Sequence, residues 1–168
     1  MWNLQVIKRL LSCACVLSFA FAAAQAKGWR GIVPLHSTRS RVERLLGKPR
    51  VGNNMYEFKT ERAYITYADG GGCAKGSESE WNVPRDTVLG IVVTPKVSLR
   101  LPALKLDLKR YKKVTDSEVP THVYYKDEES GRTYEVFEGG GTDNGLILHI
   151  QYGPAAAEDR RLRCRRPV

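Results

Sequence analysis

Histidine is scarce. His36, His122 and His149 are the only three in 168 residues, and none stands in an HxH or HExxH spacing. Zinc and its relatives are held by several such ligands at short, regular intervals, so the sequence does not point to a metal centre. Cysteine is nearly as rare, with four and no CxxC pair. The G-x-S-x-G turn that marks a strained nucleophilic serine is missing. Glycine clusters at 70–72 and 139–141 lack the Lys-Ser/Thr of a phosphate loop and read as flexible hairpin ends. Asp127, Glu128 and Glu129 lack the alternating ligands of a calcium loop and read as a solvated turn. Neither a cofactor nor a metal is expected. Acidic residues are the minority charge, 18 against 27 Lys plus Arg, giving +9.

Long apolar runs are absent with one exception. Lys8 and Arg9 precede a run from Leu10 to Ala24, which ends at the small-x-small triplet Ala24-Gln25-Ala26. That order is the mark of a secretory signal peptide over 1–26. The run is short for a bilayer, which takes about 20 residues, and no later segment is apolar for that long. A single globular domain over 27–168 is therefore expected, secreted or periplasmic. Cleavage removes two cations and leaves a basic protein. The excess suits a protein partner or an anionic envelope component, and export argues against nucleic acid.

Cys13 and Cys15 leave with the signal, so Cys73 and Cys164 remain. In an oxidising compartment two leftover cysteines pair by default. Metal ligation and a reactive thiol are the alternatives, with no neighbouring sequence to favour them.

Along the chain, residues 37–47 predict a short amphipathic helix. Ser37 is placed to cap it, Gly47 to end it, and Val42, Leu45 and Leu46 fall on one face. Strands are predicted at 55–58 and 62–67, forming a hairpin, and at 87–94, the most apolar stretch after the signal. A second helix is predicted over 107–114 with Leu108 and Tyr111 inward. Further strands are predicted at 121–125, 132–137 and 145–152, the last with Leu146, Leu148 and Ile150 on one face. The order helix, strand, strand, loop, strand thus occurs twice, over 29–95 and 101–154. It is either an internal repeat or a coincidence within one α+β domain. Residues 155–168 read as a polar, basic tail. The expected core includes Leu45, Leu46, Ile65, Leu89, Ile91, Val93, Leu148 and Ile150.

The stretch Ser37-Thr38, Val42-Glu43, Leu45-Leu46-Gly47-Lys48-Pro49, followed by Tyr56 and antiparallel strands, resembles the small outer-membrane assembly lipoproteins of the SmpA/OmlA type. It is also similar to the repeat unit of the secreted β-lactamase inhibitor protein. The segments Trp29 to Leu35, Trp81 to Pro84 and Leu162 to Cys164 resemble small exported bacterial proteins. The resemblance implies an α+β fold of tandem helix-plus-antiparallel-sheet units. The expected mature start carries no cysteine for a lipid, so an outer-membrane anchor is not implied.

Trp81 with Arg85 and Asp86 is the most site-like cluster, in the long polar loop 68–86. Trp81 is either a lid on the sheet edge or a contact residue for a partner. The expected function is a non-catalytic binding module of the cell envelope. A secreted inhibitor of an enzyme is the alternative, and an enzyme is the third.

Overall fold

The structure is a computed structural model that describes residues 28–50, 54–73, 80–139 and 145–164. The expected signal peptide lies outside the described residues, as do Arg165 and Arg166 of the basic tail. Seven antiparallel strands form one sheet: β1 (Met55–Glu57), β2 (Glu61–Tyr67), β3 (Val88–Pro95), β4 (Lys112–Thr115), β5 (His122–Asp127), β6 (Arg132–Phe137) and β7 (Leu146–Tyr152). Their spatial order is β1-β2-β3-β7-β6-β5-β4. Two meanders, β1-β2-β3 and β5-β6-β7, therefore meet where β3 pairs with β7. Among the described residues two α-helices complete the α+β architecture: α1 (Arg39–Leu46) and α2 (Ala156–Leu162). Among the described residues no helix is long and apolar enough to cross a membrane.

Alternation in the strands separates the two faces. Tyr56, Ala63, Val93, Ile150, Tyr134 and Tyr125 follow one another across the sheet on one face. This face holds the core. In the first half Val42 of α1, Trp29 and Ile32 pack on Ala63, Ile65, Ile91 and Val93. In the second half Leu101 packs on Val123, Tyr125, Tyr134, Val136 and Ile147. Ile150 touches both clusters and makes them continuous.

Thr38, not Ser37, caps α1: its hydroxyl accepts from Arg41 N at 3.4 Å. Ser37 is buried one residue earlier, accepting from Val33 N through Oγ and from Val88 N through its carbonyl. Leu45 is 48 % exposed, contrary to the expected core, and Leu46 is half-buried. The entry turn places Trp29 and Ile32 in the cluster, so Val42 is the one buried residue of α1.

The second half has no counterpart to α1. Residues 107–114 form a 3₁₀ turn at Leu108–Arg110 and then β4, whose Val114 pairs with Tyr124. Asp107 caps the turn through Lys109 N, but Lys112 to Thr115 gain a partner strand that a helix would forgo. Another 3₁₀ turn, Leu101–Leu104, starts on Pro102 and stops at Lys105, which is left-handed with φ of 49°. Together residues 96–111 make a strap across the second cluster.

Leu148 is half-buried, whereas Ile147 is 3 % exposed. The register shift between Glu135 and Val136 pairs them with His149 and Ile147, leaving Leu148 as the extra residue of a bulge. The bulge turns Ile147 to the core beside Ile150. A similar shift opposite Thr66 and Tyr67 leaves Leu89 half-buried at a third cluster with Leu35, Ala68 and Val83. The tail forms α2 within 155–164, and its Leu162 packs on that third cluster.

Candidate interaction site

The face opposite the core carries a second row across all seven strands: Met55, Tyr64, Val92, Gln151, Thr133, Lys126 and Lys112. Beside it runs a shorter row of Val114, Tyr124, Glu135 and His149. Neither α1 nor the strap lies on this side, because both pack on the core face. Tyr64 is 45 % and Phe137 40 % exposed. Glu135 is the carboxylate at the centre of the β5-β6-β7 half. His149 Nδ1 lies 2.9 Å from one of its oxygens and His122 Nδ1 3.2 Å from the other. A carboxylate can only accept, so each imidazole directs an Nδ1–H at Glu135 and turns Nε2 away from it. Tyr124 donates to Asp116 at 3.3 Å, which fixes the phenol above this row.

α2 and the loop around Trp81 stand at one end of the same face. Trp81 is half-buried, and its indole N–H donates to Asp159 of α2 at 2.9 Å. Arg163 lies 5.0 Å from the indole ring, donates to Asp159 at 2.8 Å and to Glu80 at 2.7 Å. Backbone bonds run from Asn82 N to Leu162 O and from Cys164 N to Glu80 O. Cys73 and Cys164 are joined, with Cα atoms 5.3 Å apart. The C-terminal segment is thus clasped to the loop by a disulfide, a short ladder and an ion-pair network.

Arg163, and then Trp81, hold the Asp159 carboxyl below the usual carboxylate range. A carboxylate depressed in the folded state contributes stability above its unfolded pKa, about 3.9, and loses it as pH falls through the folded value. The clasp should therefore loosen below about pH 4, read as a change in Trp81 fluorescence in a background where Trp2 and Trp29 are replaced by Phe. Trp81→Phe keeps an aromatic ring, though a smaller one, and removes the donor. It should destabilise the protein by about 1–3 kcal/mol in chemical denaturation, the cost of losing a bond to a charged acceptor. An unchanged midpoint and a flat acid profile would show that the clasp contributes nothing.

Between α2 and the sheet lies a groove of about 490 Å³, whose floor is Thr133 and whose walls include Trp81, Lys126, Arg160 and Arg163. Trp81 is tied down by Asp159 and packed on the third cluster, and it also lines the groove. Arg85 does not join it. Its side chain is exposed, its Cβ lies against Gly70, and it borders a separate hollow with Arg39, Tyr67 and Asp86. There Arg39 donates to Asp86 at 2.8 Å and stacks on Tyr67 at 3.9 Å. Burial pushes the Tyr67 phenol well above its ordinary range.

His36 lies at α2, 3.6 Å from Glu158, away from the other two histidines' shared carboxylate. Among the described residues no group of three or more His, Cys, Asp or Glu is arranged to hold a metal ion. The sequence reasoning placed His122 with Tyr124 but missed the meeting of both histidines on Glu135. Only the pairing of β5, β6 and β7 makes it. It also missed α2 as a groove wall. The chain matches no protein-family model, no curated protein and no solved structure.

Proposed function

We propose that this is an exported, non-catalytic binding module that presents the uncovered sheet face to a protein partner. One observation carries the reading: among the described residues a seven-strand sheet buries one face under α1 and the strap and carries on the other a row that includes exposed Tyr64 and passes into the Trp81 groove. Half-buried aromatic, amide and imidazole groups on a rigid sheet suit recognition, because little side-chain freedom is lost on contact. The disulfide supports an oxidising address, in line with the signal expected over 1–26.

Immobilised protein and envelope extract test the reading. Tyr64→Glu with Gln151→Glu places two charges in the row. The double variant should lose the captured partner at least about tenfold, as when an unpaired charge is forced into an interface core. Lys59→Glu, at the β1–β2 turn, should keep it. Equal capture by all three proteins would sink the proposal. Loss of a captured hydrolase's activity on binding would make the module an inhibitor.

A further inference from the structure

The outer surface of the other side, where α1 and the strap cover the core, has its own character. Residues 96–113 carry six cations besides Lys112, which lies in the row on the opposite face: Lys96, Arg100, Lys105, Lys109, Arg110 and Lys113, against one acid, Asp107. Their arrangement follows from burial. Leu101 is buried, and Leu99, Leu104, Leu106 and Tyr111 lean on the second cluster. The residues between them, among them Lys105, Leu108 and Lys109, are turned outward and exposed. On the same side of the sheet α1 buries Val42 and turns out Arg41, Arg44 and Leu45, with Lys48 just past its end. The ion pairs of the described residues leave Arg41, Arg44, Lys48, Lys105 and Lys109 out. Three of the large apolar side chains that stay exposed, Leu45, Val97 and Leu108, belong to this layer.

We propose that the α1–strap layer docks on an anionic bilayer surface. Unpaired cations on a rigid support draw such a surface by its negative potential. The projecting Leu45, Val97 and Leu108 enter the boundary between headgroups and acyl chains, where an apolar side chain leaves water. An acidic polypeptide or a soluble polyanion would answer the charge but not the three apolar side chains among the cations. This choice of occupant therefore rests on both features together. The docking side is opposite the row proposed to bind a protein, so the two surfaces can be occupied at once and can fail separately.

Vesicles of phosphatidylcholine with about a quarter phosphatidylglycerol, compared with pure phosphatidylcholine, provide the test. Neutral vesicles also measure whatever residues 1–26 contribute, since every protein compared carries the same N-terminus. The wild type should sediment with anionic vesicles and release as salt rises past the screening of surface charge. Lys105→Glu with Lys109→Glu should cut the binding at least about tenfold, by reversing two charges that face the surface. Leu108→Ser should weaken it without changing its salt dependence. Lys126→Glu with Arg160→Glu makes the same charge change on the groove side and should leave vesicle binding within about twofold, because those charges face away. All substituted positions are exposed except half-buried Lys126, and thermal midpoints report whether each variant is folded. Equal losses in the two charge-reversed proteins would overturn the proposal, as would no preference for anionic vesicles. Capture by polyglutamate beads but not by vesicles would overturn the choice of occupant.

Discussion

Replacing Cys73 and Cys164 together by serine should lower the stability by about 4–5 kcal/mol, the unfolded-chain entropy released when a loop of this length is no longer closed. The bridge spans 91 residues and ties the last described residue to the loop after β2. It also decides what happens to α2. A helix of seven residues has too few turns to stand alone in water. Leu162 on the third cluster, the Trp81–Asp159 bond and the two backbone bonds to Glu80 and Asn82 hold it in place. All of them lie within a few residues of the bridge, so opening it should loosen the segment as a unit. The expected signature is a urea midpoint shifted down with faster proteolytic cleavage within 155–164. A midpoint unchanged by reduction would mean that the clasp holds without the covalent link.

How much of this was legible beforehand depends on how local each feature is. The strands read well because alternation is a property of neighbours: 132–137 was predicted with its observed bounds, and 88–95 differed by one residue at each end. The cysteine pair was legible from the expected address and the count alone. Burial at Ile65, Ile91 and Val93 followed from the alternation. Leu148 and Leu89 failed for one shared reason. A bulge changes the phase of a strand, and its position depends on the partner strand, which local sequence does not name. Leu45 failed because the space under α1 is filled by Trp29 and Ile32 from a turn with no regular pattern. The site was less legible than the fold. Trp81 stood out as a lone tryptophan in a polar loop, but its partner Asp159 lies 78 residues away in a stretch read as tail. Arg85 stood beside it in sequence and borders a different hollow.

Leu101→Ala should destabilise the protein by about 2–5 kcal/mol, as large-to-small changes at buried leucines do. Residues 107–114, which overlap the end of the strap, were read as a helix capped by Asp107 with Leu108 and Tyr111 inward, but the strap has only two 3₁₀ turns and no α-helical ladder to hold it. Its attachment is side-chain burial, plus bonds from Leu101 N to Gly145 O and from Ile147 N to Leu99 O. These bonds set residues 99–101 beside β7 where β3 has already ended. Leu101 is 2 % exposed and sits among Val123, Tyr125, Tyr134, Val136 and Ile147. The neighbours are two aromatic rings and β-branched side chains on a sheet, which collapse poorly into a vacated volume, so the loss belongs in the upper part of that range. Leu108→Ala in the same strap should cost no more than about 0.5 kcal/mol, because Leu108 is 36 % exposed. The pair separates two pictures of the segment. If the strap is a surface coil that merely lies on the sheet, both substitutions cost little. If it is the second half's substitute for a helix, Leu101, its one fully buried side chain, contributes far more than Leu108, and the cationic surface of the strap is held in place largely by that burial.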